Sequence, residues 1–247
     1  MKLIITGTSD AMSRKAAELF AQRIRSNPSI VLGLATGGTP EKMYAELVRL
    51  HRDEGLDFSQ VISYNLDEYL GIAATHSESY RNFMNKNLFN HVNISPKNTH
   101  VLDGMTADPE KECRDYEEAI KQAGGIDLQL LGIGSNGHIA FNEPGSSAQS
   151  RTRVVNLSEN TIKDNARFFE KAEDVPRQAL SMGNATIMEA KEIILIADKE
   201  SKSDAILKSV EGPVTEEVPA SLLQKHADCT FITDGAAASK LKNKKTP

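Results

Sequence analysis

The feature that most narrows the folds open to this chain is an alternation of short apolar runs with longer stretches at helical spacing. Lys2 to Thr6, Ser29 to Ala35, Val61 to Asn65, Ile126 to Leu131, Glu192 to Ala197 and Cys229 to Thr233 read as strands, with a short one at His100 to Leu102. Helical patterns fill the gaps: Ser9 or Asp10 to about Ile24, Glu41 to His51, Glu78 to Asn90, Asp108 to Gln122 and Ser201 to Val210. A short helix at Pro219 to His226 and a last one at Gly235 to Leu241 complete the set. This alternation implies an α/β fold: one mostly parallel, open, Rossmann-like sheet with helices on both faces. A chain of 247 residues suffices for a single such domain over 1–247. The pattern lapses over residues 145–177, which are rich in Ser, Arg, Asn and Glu. Long irregular segments in compact domains often cover a site, so a lid is expected there.

Ligands of such sheets sit beyond the C-terminal ends of the strands. The sequence after the strand that ends at Leu131 is the most unusual in the chain: LGIGSNGHIAFNEP, Leu131 to Pro144. Gly132, Gly134 and Gly137 match the spacing of a dinucleotide fingerprint, but His-Ile-Ala-Phe-Asn-Glu-Pro is a poor helix start and the proline stops one early. A nicotinamide or flavin site is therefore disfavoured. His138 on a glycine turn, with Asn136 and Glu143 close in sequence, suits proton transfer near neutral pH; the plain alternative is a solvated histidine on a loop.

Two further strand ends carry chemistry. Thr36-Gly37-Gly38-Thr39-Pro40 is a candidate phosphate loop, with glycines that let backbone N–H groups turn toward an anion and a proline opening the next helix. An ordinary strand-to-helix turn has the same composition, and the Gly-Lys-Ser/Thr ending of a Walker loop is missing. Asp67-Glu68-Tyr69 follows the strand Val61 to Asn65, and Asp67 is either a general base or a cap. Arg151, Arg153, Arg167 and Lys202 are candidate anion ligands or surface charge.

Other classes are excluded or disfavoured. The net charge of −5 argues against nucleic acid, and no apolar run approaches membrane-spanning length. Cys113 and Cys229 are far apart and fit free thiols in a cytoplasmic protein. No metal is expected: the histidines show no metal-ligand pairing, and there is no GxSxG elbow of a serine hydrolase.

Taken together, the run Leu131 to Ser147, the Thr36–Pro40 loop, Asn65-Leu66-Asp67-Glu68-Tyr69 and Ser150-Arg151-Thr152-Arg153 resemble the glucosamine-6-phosphate deaminases, in order, from about Lys2 to about Thr233. The resemblance implies conversion of glucosamine 6-phosphate and water to fructose 6-phosphate and ammonia, in amino-sugar breakdown, with no metal or organic cofactor. It implies ring opening by His138 oriented by Glu143, with Asn136 where some members have aspartate. It makes Asp67, ionised at neutral pH, the base at C2. The Thr36, Gly37, Gly38 and Thr39 loop, with Arg167 and Lys202, would hold the phosphate. Members activated by N-acetylglucosamine 6-phosphate carry a lysine two residues after an arginine, plus a C-terminal tyrosine. Here Arg153 is followed by Val155, and the chain ends at Pro247 without an aromatic tail, so no activation and a monomer or small oligomer are expected. Alternatives of the same fold are a sugar-phosphate lactonase and a non-catalytic sugar-phosphate sensor.

Overall fold

The computed structural model describes residues 1–159, 162, 169, 171 and 175–243. Among these, seven strands form one parallel sheet: β1 (Lys2–Thr6), β2 (Val31–Leu34), β3 (Ile62–Asn65), β5 (Thr99–His100), β6 (Leu128–Leu131), β9 (Glu192–Ala197) and β10 (Cys229–Asp234). Their spatial order is β1-β10-β9-β6-β2-β3-β5. The central strands are apolar without alternation because both sheet surfaces are covered: Leu128, Leu130, Ile193, Ile194, Leu195, Phe231 and Ile232 are fully buried.

The helices start and stop where local chemistry directs. Helix α1 (Ser9–Ser26) is capped by Thr8, whose side chain accepts from the Ala11 N–H, and buries Met12, Ala16, Ala17, Phe20 and Ile24 along one stripe. Helix α2 (Glu41–Glu54) ends on Gly55 in the left-handed conformation. Helix α3 (Tyr80–Asn87) starts two residues later than the pattern suggests, because Ser79 caps it by accepting from the Asn82 N–H. Helix α4 (Pro109–Gln122) begins at a proline behind the cap Asp108, whose side chain accepts from the Lys111 N–H.

Several features depart from the expected pattern. Asp67–Tyr69, the segment after the expected strand Val61 to Asn65, is itself a strand, β4, which pairs antiparallel with β8 (Gln178–Ser181). Strand β7 (Arg153–Asn156) pairs with the other edge of β8, so the stretch 145–177 is not wholly irregular. Neither β8 nor the short helix α5 (Asn184–Met188) behind it is marked by periodicity. Helix α6 (Ser203–Glu211) follows β9, and Pro219–Lys225 is a 3-10 helix. Gly235 to Leu241 forms successive turns instead of a helix. Asp234 takes the Ala237 N–H with its side chain, and the Ser239 and Leu241 N–H groups bond three residues back.

The strand order creates the site. From β2 the chain moves outward to β3 and β5, then returns to β6 on the other side of β2 and continues outward through β9 and β10. β2 and β6 are therefore neighbours whose following loops diverge, which is the switch point where open sheets bind ligands.

Candidate active site

A cavity of about 420 Å³ lies at that switch point. Thr36, Gly37, Gly38, Thr39 and Pro40 line it from the end of β2, and Leu66 and Asp67 from the end of β3. Gly132 to Ser135 and His138 line it after β6, and Asp198, Lys199, Ser201 and Lys202 after β9. Tyr80, Ala140 and Phe141 complete the wall. Four segments distant in sequence thus meet because parallel strands deliver their C-terminal ends to one rim.

The His138 loop is built backbone first. Gly137 sits at φ 90°, and the Gly134 N–H bonds the His138 carbonyl at 2.9 Å, closing a tight turn. Gly134 has a second role: a Cβ there would lie 2.2 Å from His138 Cε1, so only glycine lets the imidazole lie on the backbone. Asn136 Oδ1 accepts from the His138 N–H at 3.1 Å, and its Nδ2 donates to Glu143 Oε2 at 2.7 Å. That carboxylate oxygen is 3.7 Å from His138 Nδ1. Nδ1 is buried and has no hydrogen-bond partner among the described residues. Ser158 Oγ donates to the other Glu143 oxygen at 3.1 Å. The 3-10 helix Pro219–Lys225 and the segment before it buttress the loop: the Ala220 N–H bonds the Gly137 carbonyl, and the Gly145 N–H bonds the Glu216 carbonyl, both at 2.9 Å.

Asp67 is only 6% exposed. Burial, with the Glu68 carboxylate beside it, pushes its carboxyl up to about 8. The expectation of an Asp67 already ionised at neutral pH is therefore corrected for the ligand-free protein: desolvation favours the neutral acid. Glu68 faces the other way and holds α3, accepting from the Tyr69, Tyr80 and Arg81 N–H groups. Burial raises the Glu68 carboxyl, and these three N–H groups and Arg81 oppose that rise.

The Thr36–Pro40 loop is anchored by a residue that the sequence patterns overlook. Asp198, at the end of β9, accepts from Thr39 Oγ1 at 2.8 Å and from Ser9 Oγ at 3.0 Å. The Thr39 hydroxyl proton is thus committed to the protein, and the loop offers backbone N–H groups at the start of α2. Asp198 obeys the same strand-end rule that singled out Asp67, which is the signal that would have found it.

Of the other sequence candidates, Lys202 lines the cavity, and Arg167 lies outside the described residues. Arg151 is paired with Glu117 and Glu189. Arg153 donates to Asn142 Oδ1 at 2.9 Å. Among the described residues, no group of three or more His, Cys, Asp or Glu is arranged to hold a metal ion, and no helix is long and apolar enough to cross a membrane.

Comparison with known proteins agrees with this architecture. The glucosamine-6-phosphate deaminase of Clostridioides difficile (strain 630) is 52% identical over 244 residues, spanning 99% of this chain and 98% of its own. That of Clostridium perfringens (strain 13 / Type A) is 51% identical over 242 residues, spanning 98% and 100%. A solved monomeric glucosamine-6-phosphate deaminase superposes with a TM-score of 0.95 at 45% identity, covering 97% of this chain and 99% of its own. The 6-phosphogluconolactonase of Trypanosoma brucei, at 20% identity and a TM-score of 0.78 over 97% of this chain and 98% of its own, shares the fold. The model of the glucosamine-6-phosphate isomerases/6-phosphogluconolactonase family matches residues 7–232, and the chain belongs to that family.

Proposed function

We propose that this protein is a glucosamine-6-phosphate deaminase that converts its substrate to fructose 6-phosphate and ammonia. The observation that carries the proposal is the shared cavity: Asp67, His138 and the Thr36–Thr39 loop line one space at the sheet's switch point. A base, a proton shuttle and an anion cradle are the three parts that the reaction needs.

The phosphate is held by the loop's N–H groups and Lys202, with Arg167 completing the set by family resemblance. That anchor positions C1 and C2 by binding energy remote from the bonds that change. His138 carries the anomeric hydroxyl proton to the ring oxygen, opening the ring. Its Nδ1 faces Glu143, which leaves Nε2 as the shuttling atom and gives the imidazolium a carboxylate neighbour. Asp67 then takes the proton from C2, an enolamine forms, and the proton is returned to C1. The resulting imine at C2 is hydrolysed by water, releasing ammonia. Asp67 must be ionised for its step. The ammonium form of the substrate's 2-amino group, brought beside a buried carboxyl, favours the carboxylate. Substrate binding thereby charges the base.

The arrangement of Arg153 supports hyperbolic kinetics without activation by N-acetylglucosamine 6-phosphate, since its guanidinium is engaged with Asn142 and Val155 follows. We take the enzyme to be monomeric or a small homo-oligomer, and cytoplasmic. The test is ammonia release from glucosamine 6-phosphate by chelator-treated protein without effector. Turnover that is abolished in Asp67→Asn is expected. Absence of ammonia together with hydrolysis of a sugar-phosphate lactone, undiminished in Asp67→Asn, would overturn the proposal, because lactone hydrolysis needs no base at C2.

A further inference from the structure

Directly after Asp198 the backbone does something unusual. Lys199 has φ 78° and ψ 147°, a conformation open to glycine but strained for a residue with a side chain. Three restraints hold it there. Its N–H donates to Asp234 Oδ2 at 3.2 Å, its carbonyl accepts from the Lys202 N–H at 3.1 Å, and Asp198 before it is fixed by Ser9 and Thr39. Packing offers no reason for a lysine at this position, because Lys199 is exposed.

Its charge setting matters because it lies at the cavity. Lys2, Lys42, Lys191 and Lys240 each reach a carboxylate. Lys199 makes no ion pair among the described residues, yet it lines the cavity. Its neighbour Asp198 places a buried carboxylate under the loop that is to receive a phosphate. A negative charge there opposes an incoming dianion, and a cation on the adjacent residue offsets it.

We propose that Lys199 is a further substrate-binding residue whose ammonium meets the phosphate of the bound sugar, and that the strained backbone is retained to place it there. The proposal rests on the sugar-phosphate reading of the cavity.

Three variants separate charge from strain. Lys199→Met is expected to raise KM for glucosamine 6-phosphate by about twofold to fivefold, the upper range of an exposed charge pair, with kcat nearly unchanged. Competitive inhibition by inorganic phosphate weakens in parallel, and Lys199→Arg restores both. Lys199→Gly shows the same rise in KM but a higher Tm than Lys199→Met, because the strain is released. Stabilisation of each protein by inorganic phosphate is read by thermal shift, which needs no turnover. A wild type that releases no ammonia overturns the deaminase proposal alone. A phosphate shift and KM equal in wild type, Lys199→Met and Lys199→Gly overturns the role given to Lys199. A Lys199→Gly protein no more stable than Lys199→Met overturns the role given to strain.

Discussion

Nδ1 of His138 stands 3.7 Å from Oε2 of Glu143, just beyond hydrogen-bond reach, while that same oxygen accepts from Asn136 at 2.7 Å. The carboxylate is thus held by an amide and waits beside the imidazole. As His138 takes up a proton during ring opening, a small approach converts this pair into a charge-assisted bond. Glu143→Gln keeps the shape and removes the charge, and kcat is expected to fall about a hundredfold, the lower end of general acid–base contributions. Asn136→Ala leaves the charge and loosens its aim, so a loss of about tenfold is expected. Steady-state kinetics of the two variants check the order; a larger loss in Asn136→Ala would place the main role on the amide.

Asp67 ties activity to pH. The acid limb of kcat/KM reports the free enzyme and is expected near pH 8, where burial places this carboxyl. The limb of kcat reports the complex and is expected at lower pH, because the bound ammonium favours the carboxylate. Coincident limbs in the two profiles would contradict charging of the base by its substrate.

The same group couples stability to pH. Unfolded, Asp67 titrates near its ordinary value of 3.8; folded, it titrates near 8. Between those values the native state binds a proton that the unfolded state has lost, so its contribution falls as pH rises through that window. Asp67→Asn cannot ionise and escapes this loss. The full shift sets a ceiling of about 6 kcal/mol, and relaxation around the site reduces what is realised. We expect the variant to gain on the order of 2 kcal/mol over wild type between pH 5 and pH 8, read by urea unfolding at both pH values.

How far the sequence foretold this site depends on which rule each residue obeys. The parallel sheet was legible because two-sided burial leaves continuous apolar runs such as Ile193 to Ala197. The loops after β2 and β6 were legible because turns that approach a ligand concentrate glycine. Strand β4 was not, since Asp67-Glu68-Tyr69 carries two acids, and the burial of Glu68 is compensated largely by N–H groups of α3, distant in sequence. Periodicity does not reveal Asp198 or Lys199, for a related reason, although the position of Asp198 at the end of β9 obeys the strand-end rule. One depends on hydroxyls at positions 9 and 39, and the other on a backbone angle, and neither leaves a periodic trace.

Gly134→Ala tests the fit of imidazole to backbone. A methyl group 2.2 Å from Cε1 must displace the ring, and His138 leaves its alignment with both the cavity and Glu143. A misplacement of about 1 Å costs on the order of a hundredfold in rate. The expected signature is a fall in kcat with KM changed by less than about threefold, because the phosphate loop lies on another strand. A variant with wild-type kcat would show that the close contact is dispensable.

Arg153 offers a last test, of structure and regulation together. Its guanidinium donates to Asn142 Oδ1, and Asn142, fully buried, donates in turn to the Ile139 and Met182 carbonyls. This chain of bonds braces the turn in which Ala140 holds a positive φ of 50°, between His138 and Glu143. Arg153→Met leaves the Asn142 oxygen buried and unsatisfied, at a cost of about 1–3 kcal/mol. A Tm lowered by several degrees and a reduced kcat are expected together. An arginine committed in this way is not available to an effector phosphate, so N-acetylglucosamine 6-phosphate should leave the wild-type saturation curve hyperbolic and unshifted. An effector that lowered KM in wild type and lost that effect in Arg153→Met would show that the guanidinium leaves Asn142 to bind it.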